Sequence, residues 1–250
     1  MKAIEYIAIV MPAWNEEAGI VEFLTEIRDS FETKQVFFVV VDDASSDNSV
    51  AILRQLEKQG FPVRISQNVK NLGHGPSTYK ALSLGVSENP KFVISVDGDG
   101  QFLGVDVRRM YELISLEESF IVEGVRIGRS DPLYRKITTI LTRILVLIKS
   151  GQLPQDANTP LRAYRTETLK YLLEMVHDQV LVPNLMFSVI SRRKKINISQ
   201  IEVTSIPRRG GNEIGSTWGK SQKFLPSKRF MGFCVKSFRQ WVIFKVRAKP

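Results

Sequence analysis

The chain of 250 residues holds one cysteine, Cys234, and two histidines, His74 and His177. One thiol permits no intrachain disulfide, and two imidazoles rule out a multi-histidine metal centre. Disulfide-stapled scaffolds are thereby excluded, and a reducing cytosol is the compartment this cysteine usage fits. Long apolar runs are missing too: no stretch approaches the roughly 18 residues that a membrane-crossing helix requires. The opening Met1-Lys2-Ala3-Ile4-Glu5-Tyr6 carries an acid and no apolar run before a small-residue cleavage site, so it does not read as a signal peptide. Acidic residues are scarce at the C-terminal end. Residues 190–250 hold 15 Lys and Arg against 2 Asp and Glu, whereas residues 1–189 hold 20 against 24. The net charge of +9 therefore belongs to the C-terminal segment, which would be drawn to lipid headgroups, phosphorylated ligands or nucleic acid. What is plentiful, 43% hydrophobic and 24% charged residues, suffices for a deep core in one continuous domain.

Ile4–Met11 and Val36–Val41 are short apolar runs that read as buried strands. Between them, Ile20, Phe23, Leu24 and Ile27 recur at helical spacing within Glu17–Asp29, and Val50, Leu53 and Leu56 do so after Asp47-Asn48. A third strand at Val63–Ser66, a helix at Gly75–Val86 and a fourth strand at Phe92–Val96 continue the alternation. This predicts an α/β fold with a mainly parallel sheet, right-handed crossovers and helices on both faces. Further on the rhythm loosens. Helices are expected at 105–116, 133–149, 166–176 and 184–191, strands at 120–123 and 196–203, and basic amphipathic helices within 223–247.

In open parallel sheets, ligands bind beyond the carboxyl ends of the strands. Polar clusters follow three of the apolar runs: Pro12-Ala13-Trp14-Asn15-Glu16, Asp42-Asp43-Ala44-Ser45-Ser46-Asp47 and Asp97-Gly98-Asp99-Gly100-Gln101. Any one of them would serve as a helix cap. Three together gather carboxylates that repel unless cations or hydrogen-bond donors lie between them. Alternate residues leaving a strand share a side, so Asp97, Asp99 and Gln101 are placed to face one hard cation such as Mg²⁺ or Mn²⁺. Asp43, at a strand end, suits ribose hydroxyls or a base edge. Trp14 suits stacking or packing, and His74 reads as a loop or capping residue.

These motifs, in this order and with Asn71-Leu72-Gly73 among them, resemble family 2 glycosyltransferases of the GT-A fold, a Rossmann-like sheet flanked by helices. Within that family the chain is similar to dolichol-phosphate mannose synthases and bacterial polyprenyl-phosphate glycosyltransferases. Gly124-Val125-Arg126, Arg135 with Thr139, Asp156 ahead of Leu161-Arg162-Ala163-Tyr164-Arg165, and Glu202-Val203 ahead of Arg208-x-x-Gly211 extend the likeness over residues 4–215. The resemblance implies a GT-A domain over 1–215 followed by a basic amphipathic segment, 216–250, at a membrane interface or packed on the domain. It implies that Pro12, Ala13, Trp14, Asn15, Glu16, Val41, Asp43, Asp97 and Gly98 hold a GDP- or UDP-hexose, with Arg208 or Arg209 neutralising its phosphates. Asp97, Asp99 and Gln101 would bind Mg²⁺ or Mn²⁺, and Arg126, Arg135 and Thr139 the phosphate of a polyprenyl acceptor. Catalysis would rest on Asp99, Arg126 and Arg135, by inverting transfer at the cytosolic face of a membrane. Trp14 in place of Tyr, Gly98 and Gly100 in place of Ala and Leu, and Asn158-Thr159-Pro160 in place of a Ser-Gly pair depart from the family pattern. A glycan or other hydroxyl acceptor would instead need a carboxylate base, for which Asp131 and Asp156 are the candidates. A nucleic-acid-binding module accounts for the basic segment, but its phosphate backbone would be repelled by the strand-end acids, so no nucleic acid is expected.

Overall fold

The structure, a computed structural model, describes residues 6–31, 36–116, 118–128, 133–210 and 227–246. Strand β1 (Ile7–Ala13) is buried along its whole length. Burial on both sides explains why its sequence shows no polar alternation. One side, Ile7, Ile9, Met11 and Ala13, packs on α1 (Ile20–Ser30) and α4 (Gly104–Leu116). The other, Ala8 and Val10, packs on α3 (His74–Ser87) and α7 (Pro183–Arg193). Helix α1 forms because Ile20, Phe23, Leu24 and Ile27 fall on one stripe, and all four are buried there.

Around β1 the described residues form one seven-stranded sheet, in the order β3-β2-β1-β4-β6-β5-β7. Strands β2 (Val36–Asp42), β3 (Val63–Gln67) and β4 (Phe92–Ser95) run parallel to β1 or to one another, with α2 (Ser49–Lys58) crossing between β2 and β3. Strand β5 (Ile121–Ile127) pairs in parallel with β7 (Ile198–Thr204) and is longer than the apolar run Phe120–Glu123 indicates. Between β4 and β5 lies β6 (Arg162–Arg165), antiparallel to both. Its sequence, Arg-Ala-Tyr-Arg, hides it: a buried strand bracketed by arginines has no apolar-run signature. Arg162 is nevertheless fully buried, because Glu123 of β5 and the 157–159 carbonyls receive its guanidinium.

The remaining helices are α5 (Leu133–Ser150), α6 (Thr166–Glu174) and α8 (Lys228–Ile243). Helix α8 starts at Ser227, whose hydroxyl accepts from Phe230 N. It lies beside α5 in the same direction. Tyr134 meets Phe230 edge-on at 5.5 Å near both N-termini, and at the other end Lys149 Nζ sits 4.5 Å over the Trp241 ring and donates to the Trp241 and Phe244 carbonyls. Trp241 joins the core below α3 and α7. Apart from these anchors both helices carry long apolar side chains to the surface: Leu133, Ile140, Leu141 and Ile148 of α5 are each more than half exposed, as are Met231, Val235 and Val242 of α8. No helix among the described residues is long and apolar enough to cross a membrane.

Candidate active site

The first two strand-end clusters are latched to each other. Asn15 takes φ 55° and Ala44 φ 58°. Asn15 N donates to Ser45 Oγ at 2.9 Å, and Asn15 Oδ1 accepts from Ser46 N at 2.8 Å. Asp42 accepts from the Ser45 amide and hydroxyl, and Asp47 from the Glu17 and Ser49 amides. Of the acids in the second cluster, Asp42 and Asp47 are thus bonded within the loops, as is Asn15, which is not among the residues lining the strand-end cavity. Val41 likewise lies wholly in the core. Neither Asn15 nor Val41 lines that cavity or the cleft beside it, although the resemblance implies both at the nucleotide. A loop that must turn through left-handed backbone needs internal hydrogen bonds to hold it, and these side chains supply them.

What remains surrounds a cavity of about 380 Å³ at the ends of β1, β2 and β4, walled by Pro12, Ala13, Trp14, Glu16, Asp43, Asp97, Gly98, Asp99 and Arg208. Asp43 is there, but both its oxygens are committed. Oδ1 accepts from Asn68 Nδ2 (2.9 Å) and Leu72 N (2.8 Å), and Oδ2 from Gly73 N (2.8 Å). It therefore clamps the 71–73 loop against the cavity, bringing Asn71, Gly73 and His74 into the wall. His74 is no mere cap: its Nε2 lies 2.9 Å from Asp97 Oδ1. Gly98 is required by packing, since a Cβ there would meet the Pro12 carbonyl at 2.7 Å, and Gly100 by its φ of +66°.

Arg208 and Arg209 diverge. Arg208 enters the cavity and forms a two-pronged pair with Glu16. Arg209 turns the other way, to Glu22 and Glu26 of α1 and over the Phe23 ring, and lies outside the lining of this cavity. Of the two arginines expected at the donor phosphates, Arg208 is the one that lines the cavity. Arg209 opens the turn at 209–210, and α1 offers its guanidinium two carboxylates.

The cavity opens into a larger cleft of about 850 Å³ that shares Asp97, Asp99, His74 and Arg208 with it and adds Gln101, Arg126, Arg135, Thr139 and Asp156. Gln101 donates its amide nitrogen to the Ile206 carbonyl (3.3 Å), leaving the oxygen as the end available to a ligand. Arg126 is held by Asp156 through two bonds of 2.7 and 3.0 Å. Thr139 Oγ donates to the Arg135 carbonyl in the preceding turn. The α8 side chains Arg229, Phe230, Phe233 and Lys236 form part of the opposite wall. The sequence reading placed that segment at a membrane interface or packed on the domain and gave its side chains no part in the cleft. Asp131 and Gly211 lie outside the described residues.

Burial and crowded charge shape the acids. Desolvation raises Glu16 from 4.5 to about 7, further lifted by Asp99 and Asp97, although Arg208 opposes it. Desolvation and then the Asp97 charge raise Asp99 from 3.8 to about 6. Desolvation disfavours protonated His74, but Asp97, Asp99 and Asp43 outweigh it and raise the ring to about 9. Among the described residues, no three His, Cys, Asp or Glu side chains are gathered to hold a metal unaided. Two carboxylates and an amide oxygen still fit a hard divalent ion, provided ligand oxygens complete its shell.

All three shifts have one sign for stability. A group whose pKa rises on folding binds protons in the folded chain that the unfolded chain has lost, so stability declines as pH rises. For Asp99 and Glu16 the window runs from their ordinary values near 4 up to about 6 and 7, and for His74 from 6.5 to about 9. A cation that takes the carboxylates in their ionised form reverses the loss. The rise in melting temperature on adding MnCl₂ is therefore expected to be larger at pH 8 than at pH 5.5. A shift independent of pH would place the ion away from these acids.

An open α/β sheet flanked by helices, with an acidic cavity where the parallel strands end and a larger cleft adjoining it, is the GT-A architecture. The chain matches the family model described as glycosyl transferase family 2 over residues 8–187. It is 27% identical over 205 residues to the undecaprenyl-phosphate 4-deoxy-4-formamido-L-arabinose transferase of Edwardsiella ictaluri, covering 80% of this chain and 62% of that one. It is 23% identical over 217 residues to the UDP-N-acetylglucosamine–dolichyl-phosphate N-acetylglucosaminyltransferase of Methanococcus voltae, covering 80% and 85%. Among solved structures, glucosyl-3-phosphoglycerate synthase from Mycobacterium tuberculosis, crystallised with Mn²⁺ and uridine-diphosphate-glucose, shares the fold with a TM-score of 0.64 at 16% identity, over 95% of this chain and 79% of that one. The chain belongs to glycosyl transferase family 2 and is a glycosyltransferase.

Proposed function

We propose that this glycosyltransferase moves a hexose, with inversion, from a nucleotide-diphosphate sugar to a polyprenyl phosphate at a membrane surface, on the cytosolic side. The observation that carries this reading is the joining of the acidic strand-end cavity to a cleft that holds Arg126 and Arg135 and is flanked by the exposed apolar rows of α5 and α8. The two relatives named for transfer to undecaprenyl and dolichyl phosphates support it.

In this reading Pro12, Ala13, Trp14 and the Asp43-clamped loop hold the nucleoside end, with Glu16 at the donor phosphates. Asp97, Asp99 and Gln101 would hold Mg²⁺ or Mn²⁺, which when bound would supply Lewis-acid stabilisation of a diphosphate leaving group. Arg208 exchanges Glu16 for a donor phosphate and stabilises the charge that builds on it. On the acceptor side Arg135, with Arg126 and Thr139, orients the attacking phosphate. Its second pKa of about 6 leaves it largely dianionic at neutral pH, so no side chain need remove a proton. That matters because Asp156, a candidate base for a hydroxyl acceptor, is already tied to Arg126.

The apolar rows of α5 and α8, set among Lys136, Arg229, Lys236 and Arg239, form a patch of the kind that marks an interface. Purified protein is expected to release UDP or GDP from one hexose donor only with a divalent ion and a short polyprenyl phosphate. It is also expected to co-sediment with anionic liposomes at low salt and to be released as salt rises. Transfer to a soluble hydroxyl acceptor with no liposome binding would overturn the lipid reading and leave the enzyme class standing.

A further inference from the structure

Resting on that reading of the acceptor, we infer that α8 completes the acceptor site, and that Arg229 binds the acceptor phosphate at the point where donor and acceptor meet. Arg229 is the α8 side chain that walls both the strand-end cavity and the larger cleft. The other residues common to both walls are Asn71, Gly73, His74, Asp97, Asp99 and Arg208, so Arg229 stands at the junction of the two spaces. Two of the cations nearby are engaged. Arg126 is neutralised by Asp156, and Arg208 by Glu16. Among the described residues Arg229 forms no ion pair, and its exposed position lets the guanidinium reach a ligand.

The helix that carries it is fixed in place. Tyr134 against Phe230 and Lys149 beneath Trp241 tie α8 to α5 at both ends, and Gln240 bonds Leu181 N at 2.9 Å and Gln179 O at 3.1 Å. A guanidinium on such a helix forks onto two phosphate oxygens with little ordering left to do. One turn on, Phe233 walls the cleft, and Lys236 lies on the same helix side two turns from Arg229. The cleft floor gives independent reason to expect a polar ligand. Asn184, only 4% exposed, lies on that floor with its side-chain oxygen lacking any hydrogen-bond partner. The alternating aromatic and basic residues of α8 thus have a second use beyond a membrane surface: Phe233 beside the first prenyl units and Arg229 at the phosphate.

The test uses the full chain with farnesyl phosphate as a soluble acceptor, its donor and Mg²⁺. Arg229→Ala is expected to raise the KM for farnesyl phosphate about 10- to 100-fold, with the donor KM unchanged, and Arg229→Lys to recover part of the loss. Lys228→Ala removes the same charge one residue earlier, outside either wall, and should behave as wild type. Calorimetric binding of farnesyl phosphate in the presence of UDP or GDP should weaken in parallel, while farnesol, which lacks the phosphate, should not distinguish wild type from Arg229→Ala. Circular dichroism melts check that each variant is folded. An unchanged acceptor KM in Arg229→Ala overturns the assignment, as does a rise in the donor KM alone, which would place Arg229 on the donor. If wild type neither binds nor glycosylates farnesyl phosphate, the polyprenyl reading fails and this inference falls with it. If wild type uses it and Arg229→Ala matches wild type, only this inference fails.

Discussion

Replacing Asp99 with Asn should lower turnover by about 10³-fold while leaving the protein folded and its melting temperature unchanged or raised. The two directions differ because Asp99 is costly to the empty site. Desolvation and the Asp97 charge push its carboxyl up to about 6, so at neutral pH the fold holds an anion in an unfavourable place. An amide of the same shape removes that repulsion and keeps a bond to the Gln101 amide within reach. In the proposed mechanism it also removes one of two anionic oxygen donors for a divalent ion, and with it charge that would anchor the donor diphosphate. Nucleotide release assays at saturating donor, run beside a thermal melt, read both quantities. Wild-type turnover in Asp99→Asn would remove the acid from the reaction centre, and a large fall in melting temperature would assign it a structural role.

The largest effect on stability is expected from Glu123→Ala. Glu123, on β5, is 1% exposed and lies between two buried guanidiniums. Arg192 meets it through bonds of 2.5 and 3.1 Å, and Arg162 at 3.1 Å, while Gln200 adds a bond of 3.0 Å. Deleting the acid strands two cations away from water, a loss of about 3–5 kcal/mol. A domain of this size holds about 5–15 kcal/mol in all. At about 2–4 °C per kcal/mol, the melting temperature should fall by roughly 6–20 °C. Desolvation alone raises the Glu123 pKa, but Arg162 and then Arg192 outweigh it and hold the carboxyl below the ordinary glutamate range. A lowered pKa gives stability that is present at neutral pH and lost as pH falls through the folded value. The gap between wild type and Glu123→Ala should therefore be full at pH 7 and narrow on acidification. A constant gap down to low pH would mean that packing, not charge, sets the effect.

The half of the sheet around β1 was readable from the chain because its strands are buried on both faces. Runs such as Val36–Val41 are apolar without interruption, and each ends in a polar cluster whose position follows from the topology. The roles inside the clusters were less legible. Asp42, Asp43 and Asp47 look alike in sequence, and only the turn conformations decide that Asp42 and Asp47 bond their own loops while Asp43 clamps 71–73. Arg208 and Arg209 are equivalent as letters, and their fates part because one faces Glu16 and the other Glu22 and Glu26. The acceptor half was hidden for a different reason. Strand β6 carries arginines where a core strand carries valines, and the partners that make those charges tolerable lie tens of residues away. Helix α8 shows an amphipathic pattern that suits a membrane, a core or a cleft equally well. Its contacts with α5, through Tyr134 and Lys149, give it a place in the cleft wall.

The reversed course of β6 has a consequence for how such a protein changes over time. The strands that run with β1 deliver the loops that follow them to the cleft. Strand β6, entering at Arg162 opposite Ser95 and Glu123, delivers the loop that precedes it, and Asp156, Asn158 and Pro160 reach the cleft by that route. One side of the reaction centre is thus written in chain exits and the other in a chain entrance. Insertions on the entrance side leave the register of β1, β2 and β4 untouched, so the half built from chain exits is free to be matched with many versions of the other.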